Sequence, residues 1–179
     1  MEDRRVARTK KAIKAVFFEE LRKKPLNKIT VAEISRKADL GRGTFYLHYK
    51  DVFDLNDKLD DEIFNDLEQI FEKNYPTTDD YDLLKLTETI TEYIAKNREI
   101  FLLRVESDLE SRFMKRLKKC FHEKLLQKEY AGDFSRYDEM ESLFIVSGVI
   151  GVVDEWIEGG LAIPQGEISE ILSRLLMGL

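Results

Sequence analysis

One cysteine leaves the chain unable to form an internal disulfide, which suits a reducing compartment. Only two histidines are present, His48 and His122. His122 lies two residues from Cys120, so on one helix the two side chains point about 200° apart and share neither a metal nor a catalytic proton. Acidic side chains abound beyond residue 50 but spread over helix surfaces without a convergent pair, and no glycine-rich nucleotide loop occurs. No enzyme, no metal and no cofactor is therefore expected. Prolines number three and glycines nine, too few for collagen-like or low-complexity character. No alternating strand pattern of any length competes with helical periodicity. The longest apolar run, residues 143–153, is interrupted by Ser147 and two glycines and is about half of what a membrane span needs. The opening MEDRRVARTKKAIK has no apolar core of the secretory kind. These absences point to a cytoplasmic location and no membrane partner.

Charge is present, and it is unevenly placed. Residues 1–50 hold 14 Lys/Arg against 6 Asp/Glu, a net of +8, while residues 51–179 hold 15 against 29, a net of −14. Such a step points to a nucleic-acid-facing part joined to an acidic body. The step coincides with the end of a distinctive stretch, ITVAEISRKADLGRGTFYLHYK, Ile29 to Lys50. Thr30 stands three residues before Glu33, the spacing of a capping box, with Ile29 and Ile34 placed as a hydrophobic staple. A short helix from Val31 to about Ala38 follows, then a turn at Asp39-Leu40-Gly41, then a second short helix from Arg42 to Tyr49. Two short helices joined this way predict a helix-turn-helix. In the second helix Phe45 and Tyr49 share a face toward a small core. Gly43 lies opposite, in the first turn, where a helical glycine costs roughly 0.5–1 kcal/mol against alanine. A glycine there admits close approach to the backbone, and the free N–H groups of that first turn suit a phosphate.

The rest of the chain reads as helices. A first one from about Asp3 to Lys23 buries Ile13, Val16, Phe17 and Leu21. Arg4, Arg5, Arg8, Lys10, Lys11 and Lys14 crowd its start, as phosphate contacts or as a solvated basic face. After Lys50, Asp51 is placed to cap a long helix carrying Phe53, Leu55, Leu59, Ile63 and Phe64 and ending near Asn74. It follows without a flexible linker, as a rod. Further helices are expected from Tyr81 to Lys96, over a short apolar piece capped by Asn97, and from Leu109 to Glu129 with a solvated basic face. The last two run from Tyr137 to Glu158 and from Gly166 to Met177. The architecture expected is all-α with about nine helices: a helix-turn-helix domain over residues 1–50 and a regulatory, dimerising domain over 51–179.

The helix from Tyr137 to Glu158 is apolar almost all round in its middle and must be covered on most sides. Ser147, Gly148 and Gly151 admit another helix closely, and Ile168, Leu172 and Leu175 line the last helix. These six residues are candidates for a homodimer interface, with an intrachain core as the competing reading. Phe101, Arg104, Phe113, Phe144 and Trp156 are candidate walls of a ligand pocket, each also suited to plain core or, for Trp156, to the dimer seam.

The stretch TVAEISRKADLGRGTFYLHYKD, between one helix and a longer one, resembles the tetracycline-repressor (TetR) family of regulators. The piece SGVIGVVDEWIEGGLAIPQGEISEILSRLL is similar to a regulatory domain of Firmicutes members of that family. The resemblance implies a homodimeric repressor on a palindromic operator of double-stranded DNA, released or modulated by a small-molecule effector. By position, Arg42, Gly43, Tyr46 and Leu47 would contact bases, and Thr30, Thr44, His48, Tyr49 and Lys50 phosphates. Chemistry favours several of these: Arg42 can take guanine O6 and N7, Leu47 can cover a thymine methyl, and Lys50 offers a point charge. Asp39 stands where the family often has glycine, and Gly41 where it has a Ser/Thr-type cap. The alternative to this reading is a helical protein-interaction module whose basic end binds acidic proteins.

Overall fold

The computed structural model of the protein describes residues 4–76, 83–105, 110–130 and 133–178, and for 104–105 and 110–112 the backbone only. Among the described residues there are nine α-helices and no strand. In chain order they are α1 (Arg4–Leu21), α2 (Val31–Lys37), α3 (Arg42–Tyr46), α4 (Val52–Asn74), α5 (Leu83–Lys96), α6 (Arg98–Val105), α7 (Glu110–Tyr130), α8 (Arg136–Glu158) and α9 (Gln165–Met177). A 3-10 turn, Leu26–Lys28, precedes α2. The chain forms two compact units, residues 1–63 and 64–179, the division falling inside α4.

In the first unit α1 packs on α2 and α2 on α3, around Ile13, Phe17, Ile34, Phe45 and Leu55, all fully buried. Caps set the boundaries. Thr30 Oγ1 accepts the Glu33 N–H at 3.3 Å, but the reciprocal half of the expected capping box is not made. The Glu33 carboxylate turns instead to Lys24, 2.5 Å away. Asp51 does cap α4, accepting the Asp54 N–H at 2.8 Å, and the Asp54 carboxylate accepts the Lys50 N–H at 2.9 Å. Buried Val52 starts the inward face of α4, whereas Phe53, one residue and about 100° further round, is 51% exposed. One position on α1 departs from the apolar stripe: Glu20 is buried, held by Lys37 at 2.5 Å and Lys23 at 3.4 Å.

In the second unit α5 lies along α9, α7 along α8, and α6 against α8. The α5–α9 seam is built on small polar residues, Thr87, Thr91, Ser169 and Ser173, all buried. Three of these hydroxyls are satisfied locally: Thr91 Oγ1 donates to Thr87 O (2.8 Å), Thr87 Oγ1 to Ser169 O (3.0 Å) and Ser169 Oγ to Gly166 O (2.8 Å), while Gln165 Nε2 donates to Thr91 Oγ1 (2.8 Å). Small, internally bonded side chains let two helices approach without leaving a polar group unpaired. Ile168 and Leu172 are drawn into this seam, each 2% exposed. They are therefore core of a single chain and not part of a surface between two copies.

Other expectations shift in detail. The Asn97 side chain donates to Tyr93 O at 2.8 Å rather than capping α6. Arg116 does not lie on a purely solvated face, since its guanidinium sits 4.1 Å from the centroid of the Phe64 ring. Leu109 and Tyr81 lie outside the described residues. The start of α8 has a full capping box, Ser135 with Asp138. Among the described residues its middle is covered on one side only: Ser142, Val146 and Val153 are buried, whereas Phe144 is 65% exposed.

Candidate nucleic-acid interface and body cavity

The α2–α3 turn needs one residue in the left-handed region, and Asp39 supplies it at φ 54°. Asp tolerates this conformation better than most non-glycine residues because its short side chain can bond locally. The Leu40 N–H closes the turn on Ser35 O at 2.9 Å, and Gly41 precedes α3 with extended backbone. The helix that follows ends at Tyr46, three residues earlier than its periodicity suggests. Helical bonding nonetheless persists past it, the Tyr49 N–H reaching Phe45 O at 3.0 Å. Phe45 is the anchor, fully buried, with the Tyr49 ring 5.5 Å from its own.

The opposite side of α3 faces outward. Tyr46 is 56% and Leu47 79% exposed; Arg42, Gly43 and Lys50 are exposed, and Thr44 and His48 half-buried. A methyl group placed on Gly43 would meet nothing within 4 Å. The fold thus has no packing need for glycine there, and the backbone stands open. Thr30 and Arg42 line one recess together with Arg36 and Leu40. Arg36 was not legible as a candidate in the sequence, because its place beside Arg42 depends on how α2 meets α3. Tyr49 requires correction: it is 3% exposed, with the Lys58 ammonium 5.3 Å from its ring centroid. The i, i+4 relation to Phe45 puts it in the core, not at a phosphate. His48 contributes through its backbone, its carbonyl accepting Lys58 Nζ at 2.8 Å. Of the basic residues at the chain's start, Lys14 is taken by Glu62, whereas Arg4, Arg8 and Lys11 are exposed.

Within residues 64–179 a cavity of about 790 Å³ opens between α4, α5, α7 and α8, inside the roughly 300–1,000 Å³ range usual for ligand sites. Phe101 and Phe113 are buried and line it; Phe144 lines it at an exposed mouth with Tyr137 and Met140. The Arg104 side chain lies outside the described residues. Trp156 does not line the cavity. It is buried beyond it, its indole N–H donating to Ile163 O at 2.8 Å, which ties the α8–α9 connection down. The polar groups of the cavity come in pairs that sequence periodicity did not flag: Tyr130 Oη donates to Glu141 at 2.9 Å, and Tyr75 to Glu129. Burial, aided by Glu141, pushes the Tyr130 phenol up to about 12. Cys120 is half-buried, and burial together with Glu68 raises its thiol, the opposite of nucleophile activation. Among the described residues no group of three or more His, Cys, Asp or Glu could hold a metal, and no helix is long and apolar enough to cross a membrane.

A family model of TetR type, described as a transcriptional regulator C-terminal region, matches residues 81–178, more than half of the chain. The chain belongs to the TetR family of transcriptional regulators. Two solved structures share the fold of this TetR-family chain. One is the dihydroxyacetone kinase operon activator DhaS, 18% identical, with a TM-score of 0.64 over 95% of this chain and 94% of that one. The other is the fatty acid degradation regulator FadR from Bacillus halodurans, 16% identical, with a TM-score of 0.67 over 99% and 97%. No curated protein matches in sequence.

The TetR-family chain also presents an apolar surface on its last two helices. Gly148 and Gly151 of α8 are exposed and Ser147 half-buried. A Cβ on either glycine would meet nothing within 4 Å, so intrachain packing does not use their smallness. On α9, Ile171 (37%) and Leu175 (54%) are exposed at i, i+4 spacing, at the edge and end of the same apolar stripe that carries buried Ile168 and Leu172.

Proposed function

We propose that the protein is a repressor that binds a palindromic operator as a homodimer and is released or modulated by a small-molecule effector. The observation that carries the DNA-binding part is the outward face of α3. A tyrosine, a leucine and a glycine stand open to solvent there, in a part of the chain with net charge +8. A fold under pressure for stability alone would not leave Leu47 79% exposed beside a glycine that packing does not require. We assign residues 1–50 as the DNA-binding domain and 51–179 as the regulatory and dimerising domain. Arg42, Gly43, Tyr46 and Leu47 are assigned to bases, and Thr30, Thr44, His48 and Lys50 to phosphates. Ser147, Gly148, Gly151, Ile171 and Leu175 are assigned to the dimer surface. Two such units engage successive major grooves roughly 34–36 Å apart.

The cavity is the effector site in this reading. Helix α4 begins beside Lys50 and Asp51 and continues to Leu67 and Phe71, which line the cavity with Tyr75 just past the helix end. A ligand pressing on these side chains acts on the same helix whose first turn is bonded to the end of the reading head. It shifts the equilibrium only insofar as it binds the released arrangement more tightly than the DNA-bound one.

Selection from a random duplex pool tests the proposal. An enriched approximate palindrome is expected. On it, Arg42→Ala should relax base preference at one position of each half-site, costing about 1–3 kcal/mol there. Lys50→Ala should weaken all sequences alike and flatten the salt dependence. Absence of any enriched sequence would overturn the proposal in favour of a protein-interaction module.

A further inference from the structure

We propose that the cavity of residues 64–179 takes a lipophilic cation: an apolar, aromatic or branched molecule bearing one positive charge, its charge set against Glu129 and Glu141. This rests on the reading of that cavity as the effector site and specifies the chemistry of its ligand.

The argument starts from the ionisable side chains. Among the described residues lining the cavity these are two glutamates and three tyrosines, with no lysine, arginine or histidine. The carboxylates are not left over from ion pairs inside the protein. Among the described residues neither Glu129 nor Glu141 has a basic partner, and the nearest lysines along α7 are committed elsewhere. Lys124 holds Glu68 at 2.6 Å and Glu72 at 3.1 Å, and Lys128 holds Glu72 at 2.8 Å. What the carboxylates do have is phenol donors. Tyr130 reaches Glu141 at 2.9 Å and Tyr137 reaches it at 3.3 Å, while Tyr75 donates to Glu129. These bonds fix aromatic rings beside each acid, and an aromatic face next to a carboxylate is the arrangement a poorly hydrated cation prefers.

The remaining walls are apolar, including Phe71, Phe113, Phe121 and Met114, so the bulk of the ligand must be apolar too. An anionic ligand such as a carboxylate or phosphate ester would enter against two like charges with no described cation to receive it. Glu141 is half-buried and Glu129 exposed, so the repulsion is stronger at the first and screened at the second, and at both it opposes an anion. A small hydrated cation would gain the carboxylates but leave the apolar walls wet. The combination of acid, phenol and hydrocarbon selects a molecule that is both cationic and lipophilic.

Three probes of similar shape and different charge test this on the full chain by isothermal titration calorimetry: tetraphenylphosphonium (cation), triphenylphosphine oxide (neutral) and tetraphenylborate (anion). Tetraphenylphosphonium should bind at least tenfold more tightly than either of the others. Glu141→Gln should weaken the cation about tenfold, equivalent to ~1.4 kcal/mol, while changing the neutral probe less than twofold. Glu129→Gln provides the same test from the other acid if the first variant fails to fold. Equal or tighter binding of the neutral or anionic probe, or a cation affinity unchanged in both variants, would overturn the cation assignment and leave the effector cavity standing. No binding of any of the three up to their solubility limits would overturn both.

Discussion

Gly43→Ala separates what α3 needs for folding from what it needs for contact. Gly43 occupies the second position of a helix of five residues, with helical backbone and no positive φ. Alanine adopts that conformation without strain, and its methyl would have no neighbour within 4 Å. Two effects then favour the variant: the helical cost of glycine is removed and the unfolded chain loses freedom, together about 0.5–1 kcal/mol. For a chain of this size that corresponds to a Tm rise of roughly 1–4 °C. On DNA the sign should reverse. A methyl projecting from the exposed face holds base or phosphate away from the backbone, and one misplaced contact costs about 1.4 kcal/mol or more, at least tenfold in Kd. Differential scanning calorimetry measures the first effect. Fluorescence anisotropy with the selected operator at one fixed salt concentration measures the second. A variant that is more stable and binds the operator unchanged would refute the close-approach argument. A variant that is less stable would refute the claim that packing leaves the position open.

Two further predictions rest on burial and charge. Leu172 lies in the α5–α9 seam at 2% exposure and Leu175 is 54% exposed. Leu172→Ala should therefore cost about 2–5 kcal/mol in denaturant without changing the association state, whereas Leu175→Glu should leave the subunit folded and turn the proposed homodimer into a monomer by light scattering. Glu20 is held from its usual 4.5 down to about 2, chiefly by its hydrogen bond from Lys37. A carboxyl depressed on folding contributes stability that is complete above its unfolded value and is lost as pH falls through its folded one. The first unit should accordingly lose stability between about pH 4.5 and pH 2, and Glu20→Gln should flatten that part of a circular-dichroism pH titration. An unchanged acid profile in the variant would contradict the role given to the Lys37 pair.

Much of the reading head was legible because its signals are local. Thr30 caps α2 and Asp51 caps α4 with partners three residues away, and Phe45 faces inward because the residues between it and Tyr49 fix its helical phase. The same periodicity that placed Tyr49 in the core contradicts its use at a phosphate. Local signals failed where a distant residue competed. Glu33 abandoned the capping box for Lys24, and the nearest cation on buried Glu20, Lys37, reaches it from another helix. In the body, apolar spacing marked Ile168, Leu172 and Leu175 alike. Only the arrival of α5, with Thr87 and Thr91 small enough to admit α9, buried the first two and left the third outside.

The sequence by itself determined the helices, the caps at Thr30 and Asp51, the charge step after Lys50 and an exposed glycine-bearing face on α3, because each depends on residues within a turn or two of one another. Tertiary structure alone decided which part of the apolar stripe of α9 is core and which is open. It also brought Tyr75 and Glu129, 54 residues apart, into contact at the cavity. Helical period tells which residues share a face; only packing tells what that face meets.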